Sequence, residues 1–372
     1  MRKLYFSVFL IAVVDFCFAY CLTQNLVQSL GRDSESNPER ISTLSENAVT
    51  GGRIAFWNVE NFFDCVDDTL KNDNDFTPFG IRAWGRKKYD AKCVSLYKVI
   101  AALNAEKPLI VCGLAEVENA RVLRDLCLGT PLRFLNFNFV HYDSPDPRGI
   151  DVALLYRKDL FTVLYSCAVP LVYSGDSVSH TRDILYVRGV ANRSDTQHLF
   201  ICHFPSKFGG ALETENKRYQ AGRLLRFCID TLFAANPQAQ VIAMGDFNGE
   251  PNEKPLQDGI GFGLPLLNSS GDTSILFNLM LPFAGKQGSH KYHEKWSIID
   301  QIIVTNNIRL RITAHNNAII KSATAQQEAH IFNRPFLLMP DKNYMGQKVF
   351  RTFNGPKYLG GYSDHLPVYI DL

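Results

Sequence analysis

The stretch VIAMGDFN, residues 241–248, decides the reading of this chain. Its first four residues are apolar without alternation, which describes a short strand covered on both faces. Gly-Asp-Phe-Asn then ends the run with two polar groups. The same pattern recurs at 53–59, 109–114, 150–157, 184–190, 199–203, 298–304 and 368–372, often bounded by Gly, Pro or Asn. Between these runs, Cys93, Leu96, Tyr97 and Ile100 keep helical spacing before Pro108, and Leu225, Cys228, Ile229 and Leu232 keep it before Pro237. Residues 118–126 suggest another helix. Strands of this kind need cover above and below, and helices outside two stacked sheets would supply it. Pattern alone gives a layered α/β domain.

Composition decides less. The 372 residues suffice for one large domain or two small ones, and a 46% hydrophobic content supplies a core. A formal net charge of +2 neither requires nor excludes a nucleic-acid partner. The first residues say more: Arg2 and Lys3 precede an apolar run from Leu4 to Val14, resumed from Phe16 to Ala19 after Asp15. This reads as a signal peptide over 1–20, cut near Cys17-Phe18-Ala19. An uncleaved anchor and a lipid-modified Cys21 are the alternatives. Residues 21–50 are polar and aperiodic, a flexible linker, and 51–372 form the catalytic domain. The expected location is therefore outside the cytoplasm: periplasm, cell envelope, lipoprotein or secreted protein. Seven cysteines remain after Cys17 and Cys21, with no CxxC pair, which argues against a disulfide framework or structural zinc. One or two bridges stay open, while Cys112 and Cys202 sit in runs that read as buried.

Polar residues cluster where these strands end: Asn58 and Glu60-Asn61, Glu116, His203, Asp246 and Asn248, Asp300, and Asp364-His365. Groups at the exits of rigid strands are placed to converge on one cleft. Carboxylate and amide oxygens with few thiols suit Mg²⁺ or Mn²⁺ bound together with a substrate phosphate. Paired Asp and His suit acid–base work near neutral pH. Each piece alone also has a plainer reading. GDFN makes a turn, Asp364-His365 a cap or loop pair, and Glu116 a helix cap. Asn58 inside an apolar strand is harder to dismiss, because a buried amide needs partners.

The succession WNVEN, AEVEN, CHFPSK, MGDFN, IIDQI and YSDHLP resembles the endonuclease/exonuclease/phosphatase family, which includes deoxyribonucleases, sphingomyelinases and inositol-polyphosphate phosphatases. The resemblance covers residues 53–372, and GDFN and SDHLP are its most specific parts. It implies a four-layer α/β/β/α sandwich, two mixed sheets packed between helices. It further implies that Glu116 is the principal metal ligand, with Asn58 in the metal or phosphate shell and Asp364 completing it. Asp246 would orient or deprotonate the attacking water, with Asn248 supporting it. His365 would neutralise the phosphoryl oxygens, with Asp300 fixing its tautomer. His203 would assist the leaving group or bind phosphate. Lys207 would meet a substrate phosphate or simply be solvated, and Arg351, with Lys357 and Tyr358, would line the substrate groove.

HFPSKFGG stands where abasic-site enzymes carry Tyr- and Asn-bearing loops, which weakens a DNA-repair reading. The function implied is metal-dependent attack of water on a phosphoester, led by an extracytoplasmic nuclease. A phosphatase or phosphodiesterase on lipids or small metabolites is the second reading, and a catalytically silent binding protein the third. The expected partner is the phosphoester substrate, nucleic acid included, and the chain is expected to be a monomer with no obligate protein partner.

Overall fold

β1, Arg53–Phe62, shows why the apolar runs lack polar alternation. Its Ile54 and Phe56 enter one apolar cluster, and its Ala55, Trp57 and Val59 enter another on the opposite face. Both faces of the strand are therefore covered by protein. The same division holds for β7, Thr196–His203, and β8, Gln240–Asp246. Leu199, Ile201, Ile242 and Met244 point to one side, and Phe200, Cys202, Val241 and Ala243 to the other.

The computed structural model describes residues 51–173, 181–191, 196–261, 275–319 and 327–372, without the side chains of 315–319. The expected signal peptide and linker lie outside these residues. The remaining sheet strands are β2 (Leu109–Val117), β3 (Phe137–His141), β4 (Asp151–Arg157), β5 (Phe161–Val169), β6 (Ile184–Ala191), β9 (Leu276–Asn278), β10 (Asp300–Thr305), β11 (His330–Ile331) and β12 (Val368–Asp371). One six-stranded sheet runs β11-β12-β1-β2-β4-β3, and the other runs β5-β6-β7-β8-β10-β9. Each is mixed, with one parallel pair, β1 with β2 and β7 with β8.

The sheets stack on a shared cluster that takes Phe56 and Val111 from one and Ile201, Met244 and Ile302 from the other. Helix α1 (Arg86–Glu106) buries Leu96, Val99, Ile100 and Leu103 on the outer face of the first sheet, beside α2 (Ala120–Gly129). Helices α3 (Glu215–Ala235) and α4 (Lys254–Ile260) cover the second sheet with Leu225, Ile229, Leu232, Leu256 and Ile260. Helix α5 (Asn306–Ile319) sends Ile308 and Ile312 into the layer between the sheets. The result is the expected α/β/β/α sandwich.

Three expectations change. The helix expected at 118–126 starts at Ala120, and Asn119 caps it by accepting from the Arg121 and Val122 amides at 2.8 and 3.1 Å. Glu116 is therefore not the cap. The strand expected at 298–304 begins at Asp300. Cys65, Cys93, Cys112, Cys127, Cys167, Cys202 and Cys228 are free thiols, so no bridge joins any two of them.

Arg53 ties the first strand to the last. Its guanidinium donates to both Asp371 carboxylate oxygens at 2.9 and 3.2 Å and to the Leu103 carbonyl at 3.0 Å, and it lies 3.9 Å over the Tyr369 ring. Arg53 is buried, so removing it orphans the Leu103 carbonyl and leaves Asp371 with Lys107 alone, at 3.3 Å. We expect Arg53→Ala to lower stability by about 2 kcal/mol, read as a lower urea midpoint. A midpoint equal to wild type would contradict this clamp.

Candidate active site

Strand register brings the first three groups together. His203 stands opposite Asp246 in the parallel β7–β8 pair, and Asp246 opposite Asp300 in the antiparallel β8–β10 pair. Gly245 permits the approach: a Cβ there would lie 2.3 Å from the Cys202 carbonyl oxygen, a backbone atom that cannot move aside. Asp246 and Asn248 also form the turn that their residue types favour. The Asn248 amide donates to Asp246 Oδ1 at 2.9 Å, and its side-chain Nδ2 donates to the Phe204 carbonyl at 3.0 Å.

His365 comes from the loop before β12, which is stitched to β1. Ser363 donates to the Asn58 carbonyl at 2.6 Å and accepts from the His365 amide, while the Trp57 indole donates to the His365 carbonyl at 2.9 Å. So fixed, His365 places Nδ1 2.8 Å from Asp300 Oδ2, an oxygen that also accepts from the Ser289 hydroxyl. Asp246 Oδ2 then becomes the focus of the cleft. Asn58 Nδ2 donates to it at 3.0 Å, His203 Nε2 stands at 3.7 Å and His365 Nε2 at 3.8 Å.

Asn58 completes the link to Glu116. Its Nδ2 also reaches Glu116 Oε1 at 3.3 Å, while its Oδ1 accepts from the Glu60 amide at 3.0 Å. Glu116 Oε2 accepts from the Asn61 amide at 2.8 Å. Glu60, Asn61, Glu116 and Asn248 all have φ between 48° and 65°, the left-handed region that side chains rarely adopt. Such strain gathers at functional sites.

A second tier of charge lies beside this one. Arg351 bridges Glu60 at 3.1 Å and Asp364 at 2.8 Å, and the Thr352 amide donates to Glu60 at 2.6 Å. Lys92, buried in α1, donates to the Thr352 hydroxyl at 2.6 Å and the Tyr362 carbonyl at 2.7 Å. Burial pulls the Lys92 ammonium down to about 8, although Glu60, Asp364 and Glu116 favour its charge.

These surroundings divide the titrating groups. Burial opposes a charged His365, but Asp300, Asp246 and Asp364 outweigh it and hold the imidazole well above its ordinary value. Burial, aided by Arg182 and Arg148, holds His203 well below its own, so it is neutral near pH 7. Burial raises Asp246 despite the attraction of His365. Arg351, His365 and His290 overcome burial at Asp364 and hold it well below the usual carboxylate range.

Of the residues expected from the sequence, Asn58, Glu116, His203, Asp246, Asp300 and His365 form this connected cluster, with Asn248 bonded to Asp246. Asp364 lies 4.0 Å from His365 Nε2. Arg351 is held by the two carboxylates. Lys207 is not in the cluster: its ammonium pairs with Glu253 at 2.6 Å. Lys92, Arg182, Ser289 and Ser363 were not anticipated. Ser363 stands within the SDH stretch, but single polar residues such as Lys92 in a helix or Arg182 in a loop give no periodic signal.

Glu116 keeps further lone pairs beyond its two amide partners, is half-buried, and shares its Asn58 Nδ2 partner with the Asp246 carboxylate. That donor set fits a hard divalent cation. Described groups able to hold a metal include His290 with Asp364 and His365, and Asp246 with Asp300 and His365.

A family model described as the endonuclease/exonuclease/phosphatase family matches residues 53–372. A search of curated proteins finds no match. Among solved structures, a protein of the same family description from Bacteroides thetaiotaomicron is 14% identical at a TM-score of 0.50, covering 87% of this chain and 97% of that one. The human Nocturnin catalytic domain is 16% identical at 0.48, covering 86% and 93%. A mannosyl-6-phosphatase from B. thetaiotaomicron is 13% identical at 0.47, covering 86% and 98%. The first of these likenesses supports the sandwich fold.

Asp300 favours the charged form of His365, so losing its carboxylate should lower the imidazole value. We expect Asp300→Asn to move the His365 titration to lower pH, read by ¹⁵N imidazole shifts. An unmoved titration would contradict the pairing.

Proposed function

Because this chain belongs to the endonuclease/exonuclease/phosphatase family, whose members are phosphoester hydrolases, we propose that it is a divalent-metal-dependent phosphoesterase working outside the cytoplasm. The observation that supports this most is the meeting of Asn58, His203 and His365 around Asp246 Oδ2. A carboxylate raised by burial and set beside an imidazolium is suited to receive a proton from water.

Glu116 and Asp364 would hold Mg²⁺ or Mn²⁺, with Asn58 serving that shell by fixing Glu116. The bound cation would neutralise phosphoryl oxygens and make phosphorus more open to attack. Asp246 orients the water and takes its proton as the oxygen–phosphorus bond forms. His365, kept protonated by Asp300, stabilises the negative charge that develops on the phosphoryl oxygens. Asn248 carries a side-chain oxygen with no partner among the described residues, available to water or substrate. Neutral His203 hydrogen-bonds the ester oxygen as its bond to phosphorus breaks, and that oxygen leaves with a proton taken from solvent.

An extracytoplasmic nuclease is the first substrate reading. A lipid phosphodiesterase is the second, favoured by Phe208 and Leu212, which are 93% and 80% exposed on the loop after His203. One screen of the purified protein against DNA, RNA, sphingomyelin and simple phosphate esters separates the two.

Activity should disappear in excess EDTA and return with Mg²⁺ or Mn²⁺, and Glu116→Gln should abolish turnover while leaving the unfolding midpoint near wild type. Full turnover in EDTA would remove the metal from this reading, and an active Glu116→Gln would remove the ligand. The exported location carries its own expectation. Terminal sequencing of protein from fractionated cells should find a mature start near Tyr20 or Cys21, and an intact Met1 in the cytosolic fraction would overturn export.

A further inference from the structure

We propose that Arg182 is a positioning residue of this active site, acting through a single carbonyl oxygen to hold the Asn248 side chain in place. The inference rests on the hydrolase reading above and deepens it.

Arg182 stands just before β6 and is buried. Its guanidinium forks: Nη1 donates to Asp146 Oδ2 at 3.1 Å, and Nη2 donates to the Phe204 carbonyl at 2.7 Å. That carbonyl is the acceptor that takes Asn248 Nδ2 at 3.0 Å. A carbonyl oxygen has two lone pairs, and here one serves the guanidinium and the other the Asn248 amide. The Phe204 amide meanwhile donates to the Asp246 carbonyl at 2.8 Å, so the backbone of this one residue meets both polar residues of GDFN.

The far side of the fork is anchored as well. Asp146 accepts from the Arg148 amide at 2.9 Å, and its carbonyl takes Lys71 Nζ at 2.9 Å, with the Ser144 carbonyl at the same distance from that ammonium. Asp146 is itself buried. The guanidinium is thus held from behind and presses on Phe204 in front.

Stability is a poor explanation for this arrangement. A buried arginine with one carboxylate partner usually gains little over an apolar residue of similar volume. Here the Arg182 Nε is buried with no partner among the described residues, so desolvation is not fully offset. What arginine adds is a rigid planar fork that sets two acceptors at fixed separation, which lysine cannot do.

The test compares Arg182→Met, Asn248→Ala and the double variant, using supercoiled plasmid DNA and bis(4-nitrophenyl) phosphate with Mg²⁺. If Arg182 works through Asn248, Arg182→Met lowers kcat by about tenfold or more with little change in KM, the mark of an interaction used in the transition state. Adding it to Asn248→Ala then removes nothing further. Losses that multiply would overturn the proposal, as would an unchanged kcat.

A crystal structure of Arg182→Met supplies a readout that needs no substrate. Asn248 Nδ2 should leave the Phe204 carbonyl, and an Asn248 amide still bonded there would overturn the proposal whatever the enzyme cleaves. Should wild type cleave neither probe, those substrate choices fail while this structural readout still decides the positioning role. If Arg182→Met does not fold, Arg182→Lys is read in the same two ways, since a shorter ammonium lacks the planar fork that aims separate N–H groups at the two acceptors.

Discussion

The register of three adjacent strands is the constraint on which the rest depends. His203, Asp246 and Asp300 lie side by side because β7, β8 and β10 pair in one alignment only. Both faces of these strands are buried in different apolar layers, so a slip of one residue would exchange the layers and reverse every side chain. Ile242, Met244, Ile302 and Val304 would then leave the space between the sheets. The apolar packing that stabilises the domain therefore also fixes the acid–base geometry, without any contact made for that purpose.

Charge balance at the cleft comes from outside that strand triplet. Asp246, Asp300 and Asp364 surround one imidazolium, and Glu60 and Glu116 stand close by. The cations that offset them arrive on less regular segments: Lys92 from α1, Arg351 from the chain between the small hairpins near residues 338–358, and Arg182 from the approach to β6. The sheets supply acceptors and the connections supply donors. This division explains why the connection leading to β12 is long: it carries Arg351 and Thr352 to Glu60 before returning as Ser363 and His365.

Much of this was legible in the sequence, for physical reasons that also mark where legibility ended. Strands such as β1, β2, β7 and β8 announce themselves because double-sided burial forces unbroken apolar runs. β5 does not, since it is an edge strand with Thr162 and Leu164 exposed, and β3 is short and only half-buried. The groups at strand exits, from Asn58 to His365, stood out as polar residues interrupting apolar runs. Arg182 and Ser289 could not stand out. Their partners are 36 and 11 residues away along the chain, and a lone arginine or serine in a connection has no period to betray it. Arg351 was expected to meet substrate, and only the fold shows that Glu60 and Asp364 hold it.

The left-handed backbone at Glu60, Asn61, Glu116 and Asn248 sets these positions apart in one more respect. Glycine adopts that conformation with no steric penalty, whereas a glutamate there carries strain on the order of 1 kcal/mol and an asparagine somewhat less. A search for more stable sequences would therefore favour glycine at the very bends from which Glu116 and Asn248 reach the cleft. At these positions the most stable sequence and the working one are different molecules, and a variant library scored by folding alone would erase the chemistry first.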